Sequence, residues 1–103
     1  MSKQPPIFVE MPEGIEELVP EFLLSQKEGA HALTEMYSRS DWEGIRCFAH
    51  DLKGNGTSFG FPPLTELGVA MGRSLKEANF SSLNEQIQHL VEYLDRVELL
   101  PAG

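Results

Sequence analysis

His50 is the residue whose neighbours in the sequence most favour chemistry. It falls inside a segment whose apolar residues recur with a helical period. With His50 set at zero on a wheel of about 100° per residue, Ile45, Phe48, Ala49, Leu52, Gly56 and Phe59 fall between roughly 160° and 260°. Arg46, Lys53, Gly54 and Thr57 fall within about 60° of His50, on the opposite side. A core histidine belongs on the apolar face, and this one does not lie there. A neutral imidazole, with an ordinary pKa of about 6.5, is available as a nucleophile at pH 7 without an adjacent base. Phosphoryl transfer asks mainly for an in-line nucleophile and neutralisation of charge. Lys53 lies one turn along the same face, where an ammonium can supply the second.

The distribution of charge points to the same face. The chain carries 8 Lys+Arg against 16 Asp+Glu, a formal net charge of −8. That balance argues against nucleic acid, where a clustered basic surface supplies most of the binding energy. Residues 46–76 nevertheless hold Arg46, Lys53, Arg73 and Lys76 against Asp51 and Glu66, a net of +2 that leaves −10 for the rest. A positive patch on an acidic chain suits an anionic ligand or an acidic partner surface. Gly54 weakens a helix by about 1 kcal/mol relative to Ala, so either a close approach or a bend is expected there. His31 and His89 have no matching glycine or motif and read as ordinary surface histidines. Asp51, about 100° from His50, reads as a solvated acid rather than a general base.

Other chemistries find no support. Cys47 is the single cysteine, so it makes neither an internal disulfide nor a Cys-based zinc site. Gly54-x-Gly56 with Gly60 is not a dinucleotide fingerprint, because position 59 is Phe and no strand precedes it. There is no Walker lysine motif, no H-E-x-x-H and no G-x-S-x-G. No apolar run approaches the roughly 18 residues of a membrane span. The opening MSKQPPIFVEMPEG lacks the apolar core of a secretory signal. A soluble, cytoplasmic chain is expected, without metal or cofactor, and 103 residues suffice for one domain.

Helices must position this histidine, since strand signals are nearly absent. Residues 1–12 read as an extended arm, in which Ile7-Phe8-Val9 packs on the body. Residues 13–100 read as a helical bundle. A short leading helix is expected over 13–19, and Pro20 then suits the first turn of a helix to about Ser38. Phe22, Leu23, Leu33, Met36 and Tyr37 give that helix its stripe, with Gly29 the weak point. Ser40-Asp41 caps a second helix running to about Ser58. Gly60-Phe61-Pro62-Pro63 breaks it and starts a third over roughly 63–78, with Leu64, Leu67, Met71 and Leu75 facing the core. Ser82-x-x-Glu85 has the form of a capping box. After it Leu83, Ile87, Leu90, Val91, Leu94 and Val97 mark the last helix. The expected fold is all-α: an up-down four-helix bundle with a short N-terminal arm and leading helix.

Ala49-His50-Asp51-Leu52-Lys53-Gly54-Asn55-Gly56, followed by Phe59-Gly60, resembles the signature of histidine-containing phosphotransfer (HPt) domains of the stand-alone type. The start Pro20-Glu21-Phe22-Leu23, Asp41 and the last helix fit as well, so the resemblance covers most of the chain. It implies a phosphocarrier rather than an enzyme. His50 would be the phospho-acceptor, exchanging the group with a receiver-domain aspartate or a histidine kinase. Lys53 and Gly54 match the family's residues after the histidine; Arg46 and Thr57 are candidate phosphoryl-stabilising or docking residues. The partner would supply Mg²⁺ and most catalytic groups, and the chain is expected to act as a monomer. One position departs from the pattern: where many relatives carry a Glu or Gln on the third helix to orient the imidazole, this chain has Gly72, with Arg73 next.

Two other functions compete. One is a non-catalytic helical adaptor with a vestigial site. The other is the dimerisation module of a histidine kinase, whose H-[ED]-L-[RK] start His50-Asp51-Leu52-Lys53 resembles. Gly54-Asn55 replaces the polar residue and Pro that follow there, and no ATP-binding domain is present.

Overall fold

The computed structural model describes residues 4–102. Four helices form where the apolar periodicity requires them: α1 (Val19–Ser38), α2 (Trp42–Asn55), α3 (Pro62–Lys76) and α4 (Phe80–Arg96). A short strand lies at each end, β1 (Ile7–Glu10) and β2 (Val97–Leu100). Pro20 occupies the first turn of α1, where its missing N–H leaves no bond unmade. The connections are short, which makes consecutive helices antiparallel neighbours. Contacts run in the cyclic order α1, α2, α3, α4 and back to α1. The fold is all-α in its essentials, a four-helix bundle. Leu23 and Leu33, Ile45 and Leu52, Leu64 and Met71, and Leu83, Ile87, Leu90 and Leu94 fill its centre from the four helices in turn. Each contributes about 1.5–3 kcal/mol by leaving water.

The passage from α2 to α3 aligns the two helices that matter most. After Asn55 the chain tightens into a single 3₁₀ turn, Thr57–Phe59, and reverses at Gly60. Gly60 has φ +92°, a left-handed conformation that Gly adopts without a Cβ penalty. Phe61 beyond it is fully buried, and the Phe59 ring stacks on Phe22 of α1 at 4.1 Å between centroids. These anchors send α3 back along α2.

The structure corrects four expectations. Residues 13–18 do not form a leading helix: Gly14 takes φ +94°, and Leu18 N–H closes a lone turn on the Ile15 carbonyl at 2.9 Å. A helix that short does not offset the entropy of nucleating it. The second helix stops at Asn55 rather than near Ser58, giving way to the 3₁₀ turn. Asn79, not Ser82, caps α4, its side-chain oxygen accepting the Ser82 N–H at 3.2 Å, so Ser82 and Glu85 form no capping box. The last helix ends at Arg96, and Val97 begins a strand.

That strand pairs in parallel with the N-terminal arm, Ile7 opposite Val97 and Val9 opposite Leu99. Ile7, Val9, Val97 and Leu99 turn inward, while Phe8, Glu10, Glu98 and Leu100 face out. Arg96 fastens the arm, its Nε donating to the Pro5 carbonyl oxygen at 3.0 Å. The arm is therefore extended and packed, as expected, but also hydrogen-bonded.

Candidate functional site

Asp41 sets the start of α2, its carboxylate accepting the Gly44 N–H at 3.0 Å. From that cap the helical period turns Ile45, Ala49 and Leu52 into the core. The same period leaves Arg46, His50, Lys53 and Gly54 exposed. His50 thus stands at mid-helix on the solvent face, and its imidazole has no hydrogen-bond partner among the described residues.

Gly68 of α3 decides how close the neighbouring helix comes. A Cβ built there would lie 2.6 Å from both the Ala49 carbonyl oxygen and the Lys53 nitrogen, so only glycine admits this approach. Gly72, one turn further along the same face, meets nothing within 4 Å. Between them the helices enclose a shallow cleft of about 310 Å³ beside His50. Lys53 and Arg46 line it from α2, and Val69, Arg73 and Lys76 from α3. The close α2–α3 packing was not anticipated. The i, i+4 spacing of Gly68 and Gly72 was the signal that could have shown it.

The candidate residues divide clearly. His50, Lys53 and Arg46 come together at this cleft. Arg46 is also engaged with Glu43, its Nε donating to the carboxylate at 3.0 Å and a second guanidinium N–H bonding the other oxygen. This bond and the attached charge hold the Glu43 carboxyl below its ordinary range and raise the guanidinium. Gly54 is exposed in the last turn of α2 with nothing within 4 Å of an added Cβ, so no part of the chain explains the missing side chain. Thr57 is not brought to the cleft. Its hydroxyl and N–H both bond Thr65 Oγ1, at 3.0 and 2.9 Å, tying the 3₁₀ turn to α3.

No Glu or Gln of α3 lines the cleft, and Gly72 lies beside it instead. The arrangement sets an exposed imidazole beside four cations, Arg46, Lys53, Arg73 and Lys76. A family model for the Hpt domain matches residues 8–99. The chain belongs to the Hpt domain family. Hpt domains serve phosphotransfer in two-component systems, as carriers rather than catalysts, with histidine kinases and receiver domains as partners. Comparison with curated proteins and with solved structures gave no significant match.

Other features of this Hpt domain stand apart from the His50 cleft. A larger hollow of about 500 Å³ lies between α3 and α4 beside His89, with Glu66 and Glu92 on its rim. Arg96 also lines it, paired with Glu92, so it lacks the excess of cations found beside His50. No cluster of His, Cys, Asp and Glu among the described residues could hold a metal ion. No described helix is long and apolar enough to cross a membrane.

Proposed function

We propose that this Hpt domain carries a phosphoryl group on His50 and exchanges it with the phospho-accepting aspartate of a receiver domain. The observation that carries this reading is the exposed, unbonded imidazole at mid-α2 with Lys53 one turn away and open space over Gly54. A ring nitrogen attacks the phosphorus of the aspartyl phosphate, the acyl P–O bond breaks, and the carboxylate leaves. The phosphoimidazolium then sheds its ring proton to solvent. Lys53 and Arg46 offset the incoming negative charge, and Gly54 lets the rim of the receiver's active site close over the ring. Val69, 41% exposed beside the same cleft, offers an apolar contact for the receiver. The receiver brings the Mg²⁺ and the remaining groups. The carrier works as a cytoplasmic monomer.

One observation favours the adaptor reading instead: Gly72 leaves the imidazole without an orienting side chain. Incubation with a phosphorylated receiver separates the two. Acid-labile, base-stable phosphate should map to His50 alone, and His50→Gln should abolish it. Phosphate on His31 or His89, or uptake by the Gln variant, would overturn the carrier reading.

A further inference from the structure

The cleft is built from two helices, and α3 brings cations of its own to it. Arg73 and Lys76 line it opposite Arg46 and Lys53, and no carboxylate lines it. Of these four cations only Arg46 has an ion-pair partner among the described residues. In a chain with twice as many acids as bases, such a gathering of exposed cations with no carboxylate in the lining stands out. A phosphoryl group on His50 brings close to two negative charges into this ring, where the cations attract it. Gly72 keeps the space between His50 and the two α3 cations free of a side chain. A guanidinium can therefore present its fork to the phosphoryl oxygens while the ammonium acts as a point charge.

We infer that Arg73 and Lys76 are phosphoryl-binding residues that make His50 the favoured resting place of the group in exchange with a receiver aspartate. The inference rests on the carrier reading above. It follows from a difference between states. These side chains touch the phosphoryl group when it is on His50 and not when it is on the separated receiver, so they stabilise one side of the exchange. A residue that serves docking alone changes the forward and reverse rates alike and leaves the equilibrium ratio where it was.

The test uses the full chain and a phosphorylated receiver, with the ratio of phospho-His50 to phospho-receiver measured at equilibrium. Arg73→Gln and Lys76→Gln should each lower that ratio roughly two- to fivefold, the range of a solvent-screened charge contact. The double variant should lower it further and shift the phosphorus resonance of phospho-His50. High salt should lower the ratio for the wild type and have much less effect on the double variant. Lys27→Gln, on α1 and away from the cleft, should leave it unchanged. Circular dichroism checks that helix content is kept. Phosphoryl uptake with an unchanged ratio in the double variant overturns the inference alone. No uptake by any form removes the carrier reading and the inference with it.

Discussion

Lys53 and Gly54 are neighbours in the sequence, yet the proposed carrier function gives them different parts in the exchange. Lys53 is exposed and forms no ion pair among the described residues, so folding gains little from it. Lys53→Ala should slow transfer from a receiver about tenfold, as loss of a charge-assisted contact does, while stability stays within about 0.5 kcal/mol. Rapid-quench rates beside urea titrations check this; wild-type rates with a lowered midpoint would make Lys53 structural. Gly54 is helical and open on all sides, so Gly54→Ala should stabilise α2 by up to about 1 kcal/mol. Gly54→Gln should keep the helix but cut transfer from a receiver sharply, with a much smaller effect on transfer from a small phosphoramidate donor. Equal losses with both donors would mean that Gly54 supports the reactivity of His50 itself. The wheel that placed His50, Lys53 and Arg46 correctly also set Thr57 beside them, and there it failed. It extended α2 past its real end at Asn55, and the 3₁₀ turn rotates Thr57 toward Thr65. A period describes residues only while the helix lasts.

At the scale of elements, the positions of α1 to α4 were legible because each buries one face for four turns or so, and periodicity over that length is hard to mistake. The strand pair was not. Four residues are too few to show a period, and Val97 falls on the α4 stripe and on the inward face of β2 alike. Its partner lies at the other end of the chain, where no local pattern announces it. Asn79 and Ser82 are both good capping residues, and only the tertiary contacts choose between them. Tyr37 Oη donating to the Phe80 carbonyl at 3.1 Å, with Trp42 stacked on the Phe80 ring at 4.4 Å, fixes the start of α4 at Phe80. The α2–α3 distance is likewise a pairwise property, and Gly68 sets it. Gly68→Ala must push α3 away from the Ala49 carbonyl and the Lys53 nitrogen, both of them backbone atoms that cannot step aside. It should cost about 1–3 kcal/mol, the usual penalty for overpacking, read from denaturant unfolding. It should also slow transfer by widening the cleft. Unchanged stability would mean that the helices separate freely and that the cleft has no fixed width.

For the molecule as a whole, the same charges raise a question about nucleotides. A cluster of cations beside an exposed nucleophile could in principle draw in ATP, and a carrier that charged itself from ATP would need no kinase. The whole-chain balance opposes this. The net charge of −8 gives a polyanion no long-range attraction, and physiological salt screens it and the local +2 of residues 46–76 alike beyond a Debye length of roughly 8 Å. Close in, the cleft of about 310 Å³ has long flexible cations but no glycine-rich loop of backbone N–H groups to cradle a triphosphate. Apart from His50 itself none of the residues lining it is aromatic, so an adenine finds no second ring on which to stack. A receiver domain meets none of these obstacles, because it buries a broad surface and brings its own metal. Titration calorimetry of the isolated chain with ATP and Mg²⁺ should therefore show no saturable binding in the micromolar range. Incubation with both should leave His50 unphosphorylated. Micromolar affinity, or phosphate appearing on His50 from ATP alone, would mean that the cleft holds nucleotides and that this chain charges itself.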